Sequence, residues 1–211
     1  KKAVIFDFDG VVTDSVPFHD GAYLELFRKF GVELSFEYLH THIGLTSREV
    51  IQKISEEHRL TESPEKMTGI HHALLTDLYR DRATPSPGLH EFIRSTQQFQ
   101  LLLGLASSTS SDILDFVLRK FELREAFRSL IGGESIQHGK PNPEMLIKIL
   151  EKLSVPPEEA FAIDDARSGI IAAKSINMFS VAYTYYSKYD IPEADLVVRN
   201  FLEIPLANIC T

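Results

Sequence analysis

Four short apolar segments, each followed by a segment in which apolar residues recur with helical spacing, constrain the fold of this chain most strongly. The apolar segments cover residues 3–6, 101–106, 129–131 and 160–163. The first stops at Asp7, as expected for a strand buried on both faces of a parallel sheet. Alternation of strand and helix predicts right-handed βαβ units, and hence an α/β fold with a Rossmann-like, doubly wound parallel sheet. Apolar runs at residues 179–182 and 194–198 can extend that sheet.

The region between the first two predicted strands has a different pattern. From residue 17 to residue 83 the apolar residues recur at helical spacing, and the segment Pro-Ser-Pro-Gly at 85–88 ends this pattern. We therefore expect residues 16–84 to form a helical cap inserted into a core of residues 1–15 and 85–211. Two chain crossings would join the cap to the core and form a hinge over a site.

Polar residues follow the predicted strands at the points where the strands end. Asp7, Ser107 and Asp164 come directly after three of them, and Lys140 lies in a loop after the third strand. Ligands of open parallel sheets bind outside the carboxyl ends of the strands. We therefore expect these four side chains to converge on one crevice.

The strongest local signal is Asp-Phe-Asp-Gly-Val-Val-Thr-Asp-Ser at residues 7–15. Asp7 and Asp9 lie two positions apart at a strand end, and Gly10 permits a sharp turn after them. Because the two carboxylates repel each other, a proton or a cation is needed, and one of them should have a raised pKa. A nucleophile and an acid/base catalyst would fit this division, whereas a solvated turn is the alternative.

Asp164 and Asp165 form a second acidic pair at the end of the fourth strand. Mg²⁺ suits such a pair, because it prefers one or two carboxylates together with water and a substrate phosphate, whereas an acidic helix N-terminus is the alternative. The hydroxyl residues at 107–111 could cradle a phosphate or supply a serine N-cap. Lys140, in the rigid motif Gly-Lys-Pro-Asn-Pro-Glu, could bind an anion or be solvated.

Composition excludes several classes of protein. Of the 211 residues, 44% are hydrophobic and 25% are charged, so the chain can bury a core and is not disordered. A net charge of −8 without a basic block argues against a nucleic-acid partner. No apolar run approaches the roughly 20 residues of a membrane span, and the single cysteine, Cys210, excludes an intramolecular disulfide. We expect a cytoplasmic protein without membrane contact, monomeric or weakly homodimeric.

Four motifs together resemble those of the haloacid dehalogenase superfamily. They are the acidic motif at 7–15, Ala-Ser-Ser at 106–108, Gly-Lys-Pro-Asn-Pro-Glu at 139–144 and Asp-Asp-Ala-Arg-Ser-Gly-Ile-Ile-Ala-Ala at 164–173. Their order and spacing match the family, and the resemblance spans essentially the whole chain. The chain is most similar to the branch with a small helical cap, which contains β-phosphoglucomutase and the sugar-phosphate and phosphoglycolate phosphatases.

The resemblance implies a role for each acidic residue. Asp7 would attack phosphorus in line and become an aspartyl phosphate, and Asp9 would protonate the leaving alkoxide and then activate water. Mg²⁺ would be held by Asp7, the Asp9 main-chain carbonyl, Asp164 and Asp165. With Asp9 protonated, the other three carboxylates contribute −3 and Lys140 with Mg²⁺ contributes +3, which leaves a neutral site for a phosphate dianion.

The resemblance also implies which residues bind the substrate. Ser107 and Lys140 would hold the transferring phosphoryl oxygens, with help from the backbone of Ser108 and Phe8. A small phosphorylated metabolite is therefore the expected partner.

In the cap, His19 matches a histidine near the acid/base residue, and Arg48 matches the arginine with which β-phosphoglucomutase grips the phosphate that is not transferred. A packed hinge residue and a helix-surface residue are the respective alternatives. Two other phosphate anchors of the mutase, a Lys-Asn pair and a cap lysine, are replaced here by Ser-Ser at 110–111 and His-His at 71–72. These departures favour a hydrolase over a mutase.

The sequence thus predicts a Mg²⁺-dependent phosphatase of a sugar or polyol phosphate. A β-phosphoglucomutase-like isomerase is the alternative. A phospho-accepting receiver module is a third hypothesis, against which the length and the inserted cap argue. The remaining histidine pairs, at 40 and 42 and at 71 and 72, lack a suitably spaced third ligand and are expected to be solvated.

Overall fold

The computed structural model describes residues 1–42, 45–186 and 190–210. Its strands are β1 (Ala3–Phe6), β2 (Leu102–Ala106), β3 (Phe127–Ile131), β4 (Ala160–Asp164), β5 (Phe179–Tyr183) and β6 (Leu196–Val198). They form one sheet in the order β3-β2-β1-β4-β5-β6, and all pairs are parallel. The predicted α/β fold with a doubly wound parallel sheet is therefore confirmed.

Helices surround this sheet. They are α1 (Val16–Lys29), α2 (Phe36–His40), α3 (Ser47–Glu57), α4 (Pro64–Arg82), α5 (Leu89–Gln98), α6 (Ser111–Lys120), α7 (Glu144–Leu153), α8 (Arg167–Ser175) and α9 (Leu206–Ile209). None of the helices in the described ranges is long and apolar enough to cross a membrane.

The side chains of β1 alternate between two hydrophobic clusters, one on each face of the sheet. Val4 and Phe6 pack with residues of α5 and α6, whereas Ala3 and Ile5 pack with residues of α7 and α8. All four are essentially inaccessible to solvent. Burial of a side chain as large as Phe6 contributes roughly 1.5–3 kcal/mol, so the central strand is anchored from both sides.

Two strands begin two residues away from their predicted starts, whereas the other boundaries agree to within one residue. β3 begins two residues earlier than predicted, and β6 begins two residues later, at Leu196. The later start of β6 has a physical reason, because the chain turns just before it and the backbone N–H of Ala194 donates to Ile191 O at 3.2 Å. The carboxylate of Asp195, which follows this turn, accepts hydrogen bonds from the backbone and hydroxyl of Ser180 and from Lys174.

The order of the strands places a topological switch point at β1. The chain leaves β1 for β2 and β3 on one side and returns to β4 on the other side. Such a reversal leaves a crevice at the carboxyl ends of the strands, where ligands of doubly wound sheets bind. The ends of β1, β2 and β4 surround this crevice.

Helices α1–α4, called the inserted helices below, lie between β1 and β2 in the chain and share their own hydrophobic cluster. The two connections to the sheet run side by side, because the backbone N–H of Ser86 donates to Val12 O at 2.9 Å and the hydroxyl of Thr13 donates to Thr84 O at 2.8 Å. The division of the chain at residues 16 and 84 into cap and core stays a prediction.

Candidate active site

A cavity of about 960 Å³ opens at the switch point and is lined by residues of both the sheet and the inserted helices. Asp7 after β1, Ser107 after β2, Asp164 at the end of β4 and Lys140 from the loop before α7 all line it. The structure thus brings together the four side chains that the strand ends predicted. The lining also includes Asp9, Ser108, Asp165 and His19.

Lys140 forms the centre of a buried ionic arrangement. Its ammonium group donates to Oδ1 of Asp7 and to Oδ2 of Asp164, both at 2.6 Å, although the residue is only 7% exposed. The peptide bond between Lys140 and Pro141 is cis. A buried lysine with two carboxylate partners is not the solvated lysine of the alternative interpretation, and its positive charge suits the binding of an anion beside Asp7.

Asp7, Asp164 and Asp165 offer carboxylate oxygens that all lie within 4.8 Å of one another. Burial raises the pKa of Asp7 to about 7, with Lys140 opposing the shift and Asp164 adding to it. Burial and the charges of Asp164 and Asp7 also hold the pKa of Asp165 well above its usual range. Three close carboxylates, of which Asp7 and Asp165 have raised pKa values, fit a divalent cation, because oxygen ligands and net negative charge are what Mg²⁺ requires.

Two glycines make room for the second acidic pair. A Cβ atom on Gly10 would lie 2.1 Å from Oδ2 of Asp165, and one on Gly169 would lie 1.9 Å from Oδ2 of Asp164. Gly10 also has a φ of +75°, which favours glycine. Both positions therefore exclude a side chain, and the acidic cluster is built against bare backbone.

Within the described ranges, five side chains surround the carboxylate of Asp9. They are Ser15, His19, Tyr79, Ser107 and Thr109. The hydroxyl of Tyr79 donates to Oδ1 at 2.6 Å and that of Thr109 donates to Oδ2 at 2.7 Å. Nε2 of His19 lies 3.0 Å from Oδ1. Both oxygens of Asp9 are thus held by partners from the core and from the inserted helices.

This environment reverses one expectation from the sequence. Burial favours the neutral form of Asp9, but the charge of His19 and hydrogen bonds from His19, Ser15 and Tyr79 outweigh it, so the pKa of Asp9 is lowered. Burial disfavours the charged form of His19, yet the neighbouring Asp9 raises its pKa. The expectation that Asp9 is the protonated carboxyl is therefore wrong for this arrangement, and Asp7 is the member of the pair with the raised pKa.

The hydroxyl residues after β2 do not act as a simple serine N-cap. Ser110 precedes α6 but makes no side-chain cap, and its hydroxyl instead lies 2.9 Å from Nε2 of His72. The backbone N–H of Ser111 donates to the carboxylate of Glu134 at 3.2 Å, so an acidic side chain already occupies the N-terminus of α6. Ser107 faces the cavity at the end of β2 and accepts from the backbone N–H of Thr109 at 3.1 Å.

Arg48 is not brought to the cavity. It is the second residue of α3, its side chain is 68% exposed, and its guanidinium lies 2.9 Å from the carboxylate of Glu65. Ser47, the first residue of α3, lines the cavity instead. Successive residues of a helix point about 100° apart, so a shift of one residue along the helix decides which side chain faces the cavity.

Phe8 has a fully buried side chain whose ring packs against Tyr79, with centroids 5.7 Å apart. Its side chain therefore belongs to the hydrophobic core, and only its backbone could take part in binding. The family resemblance implies such a backbone role for Phe8, and this role stays a prediction.

Sequence reasoning did not single out several residues at or beside the cavity. Thr109 was named only as one of the hydroxyl residues at 107–111. Asp20, which lines the cavity, and Tyr79, which contacts Asp9, carry no local signal. His42 and His71 were expected to be solvated, but they are 5% and 1% exposed, so this expectation is wrong for both. They are enclosed because the inserted helices pack together, with His71 stacked on the ring of Tyr23.

Comparison with known proteins places this arrangement in a family. A model described as haloacid dehalogenase-like hydrolase matches residues 4–183. The chain is 30% identical over 190 residues to a phosphorylated carbohydrates phosphatase of Thermotoga maritima, covering 90% of this chain and 88% of that protein. It is 28% identical over 213 residues to a beta-phosphoglucomutase of Bacillus subtilis, covering 97% of this chain and 92% of that protein.

A solved structure agrees with the fold. The crystal structure of CbbY from Rhodobacter sphaeroides in complex with phosphate has a TM-score of 0.88 to this chain at 23% identity, covering 100% of this chain and 99% of that one. The match of the family model extends from β1 to the end of β5 and includes all four motifs. The chain therefore belongs to the haloacid dehalogenase-like hydrolases.

Proposed function

We propose that this protein is a Mg²⁺-dependent phosphatase that hydrolyses the monophosphate of a sugar or polyol through an aspartyl phosphate. The observation that carries the proposal is the bridge of Lys140 between Asp7 and Asp164, beside Asp9, in one cavity. It combines a nucleophile, a cation for the phosphoryl oxygens and an acidic cluster suited to a metal ion. The Thermotoga relative, whose name specifies phosphorylated carbohydrates, supports the substrate class.

Two displacements at phosphorus account for the reaction. In the first, a carboxylate oxygen of Asp7 bonds to phosphorus as the bond to the leaving oxygen breaks in line, and Asp9 gives that oxygen a proton. In the second, water bonds to phosphorus, Asp9 accepts its proton, and the bond between phosphorus and Asp7 breaks. Asp9 accepts hydrogen bonds on both oxygens here, so before it acts as an acid it must lose some of these hydrogen bonds and take up a proton.

The remaining residues bind and neutralise charge. Ser107 and Lys140 would hold the phosphoryl oxygens, and the backbone of Ser108 would add a donor. Asp7, Asp164 and Asp165 would hold Mg²⁺, together with the main-chain carbonyl of Asp9. Bound magnesium supplies positive charge that lets a phosphate dianion approach these carboxylates and stabilises the charge that develops on its oxygens.

The mutase alternative is less well supported than the hydrolase, although a curated relative and several similar solved structures bear that name. A mutase must hold a second phosphate, and the arginine proposed for this task, Arg48, is exposed and paired with Glu65. Membership of a hydrolase family also disfavours the receiver hypothesis. The cytoplasmic location and the monomeric or weakly dimeric state stay predictions.

Phosphate release tests the proposed function. The protein is incubated with a panel of hexose and hexitol phosphates, including β-glucose 1-phosphate, with Mg²⁺ or with EDTA, and both free phosphate and sugar-phosphate isomers are measured. We expect metal-dependent phosphate release, lowered at least about a hundredfold by Asp7→Asn, which removes the nucleophile. Isomer formation with little free phosphate would support the mutase, and full activity of Asp7→Asn would overturn the proposed chemistry.

A further inference from the structure

We propose that Asp20 selects the leaving group of the substrate, by accepting hydrogen bonds from its hydroxyl groups and by repelling a second phosphate. The inference rests on the proposed function and deepens it, because it concerns the end of the substrate that is not transferred. The substrate class is accordingly a monophosphate whose leaving group is uncharged and rich in hydroxyls.

Asp20 lies on the side of the cavity that the inserted helices contribute. It follows His19 on α1 and lines the cavity, yet it is only 9% exposed. His19 lies against Asp9, so adjacent residues of one helix serve the reacting centre and the neighbouring wall of the cavity. A substrate whose phosphate lies beside Asp7 would extend its leaving group into this same cavity.

The carboxylate of Asp20 has capacity for a ligand. Nε2 of His40 lies 3.0 Å from its Oδ2. A carboxylate offers two oxygens with about four acceptor positions, so the one histidine partner found in the described part of the chain does not saturate it. Hydroxyl groups of a polyol are donors that match this acceptor, and a hydrogen bond to a charged group is about twice as strong as one between neutral groups.

The charges around Asp20 argue against a second phosphate. Among the described residues that line the cavity, Lys140 and Arg167 are the only lysine and arginine, and neither comes from the inserted helices. Lys140 is held by Asp7 and Asp164, and Nε of Arg167 donates to Glu193 at 2.7 Å.

Further acidic residues strengthen this argument. Asp14 and Asp190 line the cavity as well as Asp20, in addition to the carboxylates of the acidic cluster. Repulsion between like charges at a binding surface lowers the affinity for an unwanted ligand. A bisphosphate would therefore place its second phosphate among acidic side chains.

Three compounds test the inference at pH 8 with Mg²⁺ present. They are sorbitol 6-phosphate, fructose 1,6-bisphosphate and p-nitrophenyl phosphate, and kcat/KM is measured for each. Asp20→Asn keeps the shape of the side chain and removes its charge. Asp81→Asn, an equal change of charge at an exposed residue of α4, is the matched control.

We expect the wild-type protein to prefer the hexitol monophosphate over the bisphosphate. In Asp20→Asn this preference should fall about tenfold, with kcat/KM for the bisphosphate rising in absolute terms, while Asp81→Asn keeps the wild-type preference. A tenfold change corresponds to about 1.4 kcal/mol. Loss of packing alone cannot raise activity on one substrate, so the rise separates a role in specificity from a structural one.

Asp20→Leu tests the hydrogen bonds. It should lower the ratio of kcat/KM for sorbitol 6-phosphate to that for p-nitrophenyl phosphate, which has no hydroxyl groups, by at least about tenfold. Thermal unfolding of each variant shows whether it is folded, and Asp20→Asn keeps the inference falsifiable should Asp20→Leu be unfolded.

Unchanged preferences in Asp20→Asn would overturn the role of Asp20. Release of phosphate from p-nitrophenyl phosphate alone would leave the proposed chemistry standing but overturn the substrate class. Release from none of the three compounds would overturn the proposed function itself, and the inference with it.

Discussion

Tyr79 donates its buried hydroxyl to Oδ1 of Asp9 at 2.6 Å and thereby joins α4 to the turn after β1. The two residues are 70 positions apart in the chain. The hydrogen bond links the inserted helices to the carboxylate proposed as acid/base catalyst. Any separation of α4 from the sheet would break it, so the position of the inserted helices and the availability of Asp9 are coupled.

A double-mutant cycle tests this link. Tyr79→Phe should lower the free energy of unfolding by about 1.5–3 kcal/mol, because the hydrogen bond to the carboxylate of Asp9 and the 3.1 Å contact with Nε2 of His19 are lost while the ring stays packed. In an Asp9→Asn background the same change should cost less, with a coupling energy of about 0.5–3 kcal/mol. Urea unfolding of the four proteins measures it. Strictly additive effects would mean that Tyr79 stabilises the fold independently of Asp9.

Removal of the Lys140 ammonium group should destabilise the protein strongly. Lys140→Met leaves Asp7 and Asp164 buried without their shared cation, and breaking a buried ion pair from one side costs about 3–5 kcal/mol. Urea unfolding in EDTA measures the loss. Lys152→Met, at an exposed position of α7, is the control and should change stability by less than about 0.5 kcal/mol. Equal effects of the two changes would contradict the buried arrangement.

Magnesium should stabilise the folded protein. At a concentration one hundred times its dissociation constant, a ligand that binds only the folded state adds about 2.7 kcal/mol, and for a domain of this size that raises the Tm by about 5–10 °C. Asp165→Asn should remove most of this increase. Because burial and the neighbouring carboxylates hold the pKa of Asp165 well above its usual range, the same change should raise the Tm in EDTA.

Thermal unfolding of wild type, Asp165→Asn and Asp81→Asn, with and without Mg²⁺, checks both directions. Asp81→Asn controls for the change in net charge and should respond to Mg²⁺ as the wild type does. A full response to Mg²⁺ in Asp165→Asn would place the metal elsewhere.

His71 should make stability depend on pH. Burial, together with the positive charges of His19 and His72, holds the pKa of His71 well below its usual range. Above pH 6.5 the imidazole is neutral in both states, whereas below it the unfolded chain takes up a proton that the folded protein does not. Stability should therefore fall as the pH drops below about 6.5, by up to about 1.4 kcal/mol per pH unit.

His71→Gln should flatten this decline. The raised pKa of His19 acts in the opposite direction, since its contribution is present at low pH and lost as the pH rises, but it is common to both proteins and largely cancels in their difference. Urea unfolding at pH 7.5, 6.5 and 5.5 measures the difference, with the exposed His58→Gln as control. Parallel pH profiles for wild type and His71→Gln would show that His71 does not carry the effect.

The sequence predicts those parts of the site that depend on strand ends. Asp7, Ser107 and Asp164 each follow a buried apolar run, and parallel strands must bring their carboxyl ends to one edge of the sheet. Local spacing therefore contains enough information to place them together. The same holds for Lys140, whose motif lies in the loop after β3.

Residues of the inserted helices could not be placed in this way. Whether Ser47 or Arg48 faces the cavity depends on how α3 is rotated about its own axis. This rotation depends on the packing of α3 against α4, which the sequence does not reveal. The contact of Tyr79 with Asp9 likewise depends on how α4 lies over the sheet. The lowered pKa of Asp9 depends on His19, Ser15 and Tyr79, which come from separate parts of the chain.

Chemical trapping of the phosphorylated enzyme tests the central proposal most directly. The protein is mixed with Mg²⁺ and p-nitrophenyl phosphate and treated with borohydride, which reduces an acyl phosphate to an alcohol and would convert Asp7 into homoserine. Asp9→Asn should increase the trapped fraction, because this leaving group needs little acid assistance whereas hydrolysis of the intermediate needs the base. Peptide mass spectrometry should find homoserine at position 7. Phosphate turnover with unmodified Asp7 would contradict the account.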